Sequence, residues 1–241
     1  MQRSFDFGAS PLPDIRRSLV AIYGPQISVA RMDPVSQLVK SAISGRAYDE
    51  VSWNAFFRLR TQYGGDWEAL SLAPGAELES ILSPTTFPEA KARRLPVLLR
   101  MLKHRRGALE LDFLARESVE GAMAWLKALP AVGPRTAACV LNFSQLNMRA
   151  LVVDTHVHRV ARRVGLAPCR GETQAAYNAL MNQMPEAWDA EDLFELHCLI
   201  KRLGQTFCTQ ARPRCGACPL KETCPRIEAA GGDVLTFAPR R

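Results

Sequence analysis

Four cysteines, Cys208, Cys215, Cys218 and Cys224, fall in the stretch 208-CTQARPRCGACPLKETC-224 at the spacing C-x6-C-x2-C-x5-C. Thiolates so close in the chain can close around one metal centre, with the prolines of the loop fixing its turns. Structural zinc usually takes two C-x2-C knuckles. This loop has one such pair flanked by two outlying cysteines, so zinc ranks second. Arg212, Arg214, Lys221 and Arg226 interleave the thiols and give the loop a positive face suited to a phosphate backbone. The remaining thiols, Cys139, Cys169 and Cys198, have no such spacing and are read as core or incidental. Seven cysteines is an odd number, and the N-terminus lacks the apolar core of a secretion signal, so metal ligation outranks a disulfide framework.

The second candidate is Asp154, where the apolar run of 151-LVVDTHVHRVARRVGL-166 gives way to a basic amphipathic helix. An aspartate directly before a helix satisfies exposed N–H groups, so an N-cap is one reading. A catalytic carboxylate is the other. His156 and His158 stand two apart on the expected helix and do not share a face, so they are not a metal-ligand pair. Arg159, Arg162 and Arg163 read as a solvated helix face with some phosphate contact.

The third is 129-LPAVGPRTA-137, which breaks a helical pattern abruptly. Pro130 and Gly133 end one helix, and Pro134 suits the first turn of the next, where its missing N–H goes unmissed. A glycine in the middle of the turn turns backbone N–H groups toward the surface beside a helix N-terminus, and both favour a phosphate oxygen.

The elements that must position these residues are helical almost throughout. PVSQLVKSAI, EVSWNAFFRLRTQYG, AKARRLPVLLRMLKH, SVEGAMAWLKAL, RTAACVLNFSQL, THVHRVARRVGL, TQAAYNALMNQM and DLFELHCLIKRLG carry apolar residues three and four apart. Strand-like alternation is nearly absent, so the expected fold class is all-α. The basic run AKARRLPVLLRMLKHRR is expected to expose its charges, and the ends before about Ser18 and after about Ile227 are expected to be less regular. With 241 residues, 47% of them hydrophobic, the chain can bury a substantial core. A net charge of +7 admits a polyanionic partner without requiring one. Without an apolar run of membrane-spanning length, a cytoplasmic, nucleoid-associated protein is expected.

Leu129, Pro130, Val132, Gly133, Thr136 and Ala137 together resemble the helix-hairpin-helix motif of the endonuclease III superfamily of DNA glycosylases. VDTHVHRV is similar to that family's VDTH-x-x-RV segment, and the cysteine loop to its [4Fe–4S] loop. The resemblance covers roughly Met32 to Arg226. It implies two helical lobes: a six-helix barrel with the hairpin, 31–148, and a discontinuous iron–sulfur cluster lobe, 1–30 with 149–241. Double-stranded DNA containing a damaged base or an abasic site would lie in the cleft between them, and one active site in a single chain makes a monomer the expected state.

The resemblance also implies roles. Asp154 becomes the catalytic carboxylate, stabilising positive charge on the sugar and helping to activate a nucleophile. Cys208, Cys215, Cys218 and Cys224 become cluster ligands. Leu129, Pro130, Ala131, Val132, Gly133 and Thr136, with Arg212 and Arg214, become the DNA-binding set. Bifunctional members carry a lysine two residues after the hairpin glycine, and here that position is Arg135, which stays protonated and does not act as an amine nucleophile. A glycosylase that uses water is therefore expected. In 43-ISGRAYDEVSWNA-55 the residue that wedges into the gap left by the flipped base is Arg46, while Tyr48 either stacks on a base or packs. Two alternatives stay open: an abasic-site lyase using another amine, with Lys40 and Lys127 as candidates, and a non-catalytic sensor of abasic or distorted DNA.

Overall fold

The computed structural model describes residues 10–28, 30–168 and 171–225. Among these residues there are eleven α-helices, two 3-10 turns and no strand, so the protein is all-α. An isolated parallel bridge joins Met32 and Ser144. No helix is long and apolar enough to cross a membrane. Contacts divide the chain into two units, Ala30–Ala150, and Met1–Val29 with Leu151–Arg241.

The continuous unit holds α2 (Pro34–Ile43), α3 (Asp49–Gln62), α4 (Trp67–Ser71), α5 (Gly75–Leu82), α6 (Pro88–Arg106), α7 (Val119–Lys127) and α8 (Pro134–Phe143). Six of these have eight or more residues, and α4 is a single five-residue turn. Short polar side chains start three of them: Asp33 accepts from Ser36 N at the head of α2, Asp66 from Glu68 and Ala69 N at α4, and Ser118 from Gly121 N at α7. Helix α2 is buried along nearly its whole length and packs on α3, α6 and α8. It is the axis on which the unit's core forms. Phe87, the N-cap of α6, is left-handed at φ 56°, and its exposed ring stands out of that core.

The discontinuous unit holds α1 (Leu12–Tyr23), α9 (Thr155–Val164), α10 (Thr173–Met181) and α11 (Ala190–Thr206). Helix α1 begins at Leu12, so the segment before Ser18 is more regular than the sequence suggests. Leu12, Ile15 and Leu19 are buried in the core of this unit, and their spacing of three and four residues puts them on one face of the helix. Arg16 clamps α1 to α11 through Asp192 at 2.7 Å and Glu195 at 2.5 Å, and it lies over the Trp188 ring. Glu195 also accepts from Gln26 N, 2.9 Å. Helix α11 starts on a capping box between Asp189 and Asp192. The expected irregular segment after Ile227 lies outside the described residues, as do Arg226 and Cys169.

Candidate functional site

Leu151, Val152 and Val153 are buried, and they deliver Asp154 half-buried at the head of α9. His197 of α11, itself buried, fixes this run: its Nδ1 donates to the Val152 carbonyl at 2.7 Å, which assigns the proton to that nitrogen. Asp154 Oδ1 accepts from His156 N and Val157 N, both at 2.8 Å. The cap reading is therefore correct, and it uses one oxygen. Oδ2 receives no hydrogen bond from the described residues and is left to face chemistry. His156 packs against Gly204 and joins Nδ1 to Arg159, 3.1 Å away. Burial and the nearby Arg162 charge hold His158 below the ordinary histidine range.

The arginines of α9 do not form the solvated stripe that their sequence suggests. Arg163 is buried and donates to the carbonyls of Cys208, Thr209 (2.6 Å) and Gln210, with Nη1 also 3.5 Å from Cys208 Sγ. Arg159 donates to Cys208 O at 2.9 Å and Gly204 O at 2.6 Å. Two guanidinium groups thus hold the start of the cysteine loop by its backbone. Their carbonyl partners lie some 45 residues further along the chain, which no reading of the helix alone could reveal.

Beyond that clamp the chain closes on itself. Arg214 donates to Thr206 O and lies over the Phe207 ring, and both it and Arg212 are exposed. Cys215 begins a 3-10 turn, Cys215–Ala217. Cys208 and Cys218 rest against the unit's hydrophobic core. Burial pushes the Cys218 thiol up to about 11, and the nearby charges of Cys208, Cys224 and Cys215 add to that rise. All four thiols are therefore near enough to oppose one another's ionisation. Yet among the described residues no group of three or more possible ligands gathers tightly enough for a single ion. A tetrahedral zinc would draw its sulfurs to about 3.8 Å of one another, given Zn–S bonds of about 2.3 Å. A four-iron cube carries its thiolates on separate corners and spreads them wider. Four thiolates from one short loop are a donor set that a four-iron cluster takes.

In the continuous unit the hairpin runs from α7 to α8. Its left-handed residue is Ala131, at φ 61°, not Gly133. Gly133 is extended, with φ −96° and ψ 179°, and serves as the N-cap of α8. Leu129 and Val132 are buried, as is Thr136, so these side chains shape the hairpin from within. Any partner would meet the backbone around Ala131 and Gly133. Beside the hairpin lies a cavity of about 520 Å³ whose wall includes Arg46, Phe87, Lys91, Arg94, Arg135 and Thr136. Arg46 is left-handed at φ 57° and exposed, and its guanidinium lies over the Phe87 ring at 5.6 Å.

The sequence of residues 39–201 matches the family model for HhH-GPD superfamily base excision DNA repair proteins. The chain belongs to this superfamily. Among curated proteins it is similar to DEMETER-like protein 2 of Arabidopsis thaliana, 29% identical over 75% of this chain but only 14% of that protein. It is also similar to the chloroplastic endonuclease III homolog 2 of the same plant, 28% identical over 78% of this chain and 47% of that one. The chain thus spans less than half the length of these relatives. A solved non-covalent endonuclease III–DNA complex shares the fold, with TM-score 0.75 over 92% of this chain and 97% of the other at 22% identity.

Arg135, where the resemblance leads one to expect an amine, and Arg46, which the sequence reading assigns to the wedge, both line the cavity beside the hairpin. Lys40 is buried, donates to Ser52 Oγ and sits 4.5 Å from the Trp53 ring centroid, whereas Lys127 is on the outside of α7. Tyr48 is 85% exposed, which rules out the packing role. Sequence reasoning passed over Phe87 and Lys91, which line the cavity beside the hairpin, and, in the other unit, His197, which holds the run before Asp154. A phenylalanine directly before a helix-starting proline was the one available signal for Phe87.

Proposed function

We propose that this protein is a DNA glycosylase that releases a damaged or mismatched base by hydrolysis, with Asp154 as the essential carboxylate. The observation that carries the reading is the division of labour on Asp154: Oδ1 is fixed by two backbone N–H groups while Oδ2 stays unbonded. Oriented so, the carboxylate can hold a water molecule for attack on C1′ and offset the positive charge that grows on the sugar as the base departs. Its segment sits on buried Leu151–Val153 and the His197 bond, so it needs little reorganisation during reaction.

The partner is double-stranded DNA containing a damaged base or abasic site. Gly133 supports this: a Cβ there would meet nothing within 4 Å, and its φ is open to any residue. Neither strain nor packing asks for glycine, so what its bare backbone serves is close approach from outside, as a phosphate at the α8 N-terminus would make. Arg46 with Phe87 fills the space vacated by the everted base. Cys208, Cys215, Cys218 and Cys224 hold a [4Fe–4S] cluster, which supplies a fixed cross-link to a segment with little secondary structure of its own.

A guanidinium is not an amine nucleophile, so base release is not coupled to imine formation at Arg135. The test is a single-turnover panel of duplexes, each with one lesion, following free base and strand breaks with and without hot alkali. Base release that runs ahead of strand scission, with most early breaks needing alkali, is the expected result. Breaks that match base release from the first time point would overturn hydrolysis, and tight binding without release would favour a sensor.

A further inference from the structure

Two cavities meet at the hairpin. One is the cavity already described, whose wall carries Arg46, Arg94 and Arg135. The other, of about 570 Å³, is lined by Arg93, Arg94, Val97, Pro130 and Ala131. Arg94 and Ala131 belong to both walls, so the exposed, left-handed Ala131 stands as a partition between two cavities that α6 lines. Both lie within the continuous unit.

The charges of α6 are used differently on either side of its midpoint. Away from the hairpin, Arg100 donates to Ser71 O, Lys103 pairs with Glu68 and Arg106 with Glu110, so these cations are spent within the fold. At the hairpin end Arg93 and Arg94 are exposed and, like Arg135, form no ion pair among the described residues. No carboxylate lines either cavity. Unopposed guanidinium groups in a concave wall call for an anion, and their forked donors suit phosphate oxygens. Val97, 43% exposed, shares the second wall with Pro130 and gives it an apolar floor. A lone phosphate would make no use of that floor, whereas the face of a deoxyribose would. Anion sites on both sides of a ridge, with an apolar rest beside them, describe a sugar–phosphate chain that continues across the hairpin.

We propose that one DNA strand runs over Ala131 with a phosphate held in each cavity, by Arg94 and Arg135 on the Arg46 side and by Arg93 and Arg94 on the far side. The protein therefore needs intact DNA beyond the hairpin as well as at the lesion. The inference rests on the proposed reading of the protein as a glycosylase acting on DNA, and adds to it a second phosphate site and a requirement for a flank. Gripping the backbone on both sides of the ridge fixes the strand while a nucleotide is everted.

The experiment uses the full chain and duplexes with one preformed abasic site, and reads binding by fluorescence anisotropy over a range of salt concentrations. Arg93→Gln should weaken binding several-fold and lower the slope of log Kd against log salt by about one, as loss of a phosphate contact does. The double variant Arg93→Gln with Arg94→Gln should lower it by about two. These side chains are exposed, so the variants should fold. Arg105, also exposed, lies about 16 Å further along α6, and Arg105→Gln should leave the slope unchanged. Trimming the duplex from one end, and from that end alone, should weaken the wild type and erase its difference from Arg93→Gln. An unchanged slope in Arg93→Gln, or a difference that survives trimming from either end, would overturn this inference alone. So would an equal loss in Arg105→Gln, which would mean a diffuse positive field and no site. Failure of the wild type to bind the abasic duplex would overturn the proposed function, and this inference with it.

Discussion

The guanidinium of Arg46 stacks on Phe87 at 5.6 Å, and both residues are held in the left-handed region of backbone space. Such a conformation is uncommon for an aromatic residue and is stored strain. The two loops are also tied directly, the Thr86 hydroxyl donating to the Arg46 carbonyl at 2.8 Å. Both side chains are exposed, so neither serves the core. Keeping a strained, solvent-facing pair assembled is justified by what it meets from outside.

That pair gives the first prediction. Eversion of a base costs a few kcal/mol, and a wedge that fills the gap offsets part of it. Phe87→Ala and Arg46→Ala should each slow base release about tenfold while leaving the melting temperature almost unchanged. Thermal unfolding and single-turnover kinetics on one lesion duplex check both halves. A fall in melting temperature of several degrees would show that the pair is structural.

Asp154 separates capping from catalysis by substitution. Asparagine caps a helix as well as aspartate does, whereas alanine does not. Asp154→Asn should therefore keep the stability of the wild type and lose base release by about a hundredfold or more. Asp154→Ala should lose activity and also about 1 kcal/mol of stability. Denaturant unfolding beside the activity assay distinguishes them. Retained turnover in Asp154→Asn would return the residue to capping alone.

Two glycines should respond in opposite ways to the same methyl group. At Gly133 a Cβ meets nothing, so Gly133→Ala should fold normally and bind DNA several-fold more weakly. At Gly204 in α11 a Cβ would stand 2.9 Å from the Cβ of His156 and 3.1 Å from Arg159 Nη2. Gly204→Ala must push α9 and α11 apart and should destabilise the protein by about 1–3 kcal/mol. Equal DNA affinity for Gly133→Ala and wild type would remove the hairpin from the binding surface.

Local chemistry was legible in the sequence where neighbours in the chain decide it. The Asp154 cap, the Pro134 helix start and the cysteine spacing each depend on residues within one or two turns. Helical periodicity found the elements for the same reason. What was misread depends on partners far along the chain. Arg163 looks like a surface charge until the carbonyls of Cys208–Gln210 arrive to receive it, and Lys91 looks exposed until the cavity wall closes over its Nζ. In the hairpin the residue types locate the turn but not its backbone: Ala131 is the left-handed residue, and Gly133 is the extended N-cap of α8.

The last prediction concerns the clamp on the cysteine loop. Arg163 makes backbone bonds to Cys208, Thr209 and Gln210, and Arg159 adds its own to Cys208. These bonds hold Cys208, the first of the four proposed cluster ligands, by its backbone. Purified without oxygen, the wild type should carry about four irons per chain and the broad visible absorption of an iron–sulfur protein. Arg163→Ala removes the donor to the Thr209 and Gln210 carbonyls and leaves Cys208 O to Arg159 alone, so iron content should fall and the remaining cluster should be lost faster to a chelator. Arg163→Lys restores charge but not the forked donor geometry and should rescue only in part. Full iron loading in Arg163→Ala would show that the cysteines assemble the loop unaided, and zinc in place of iron in the wild type would refute the cluster itself.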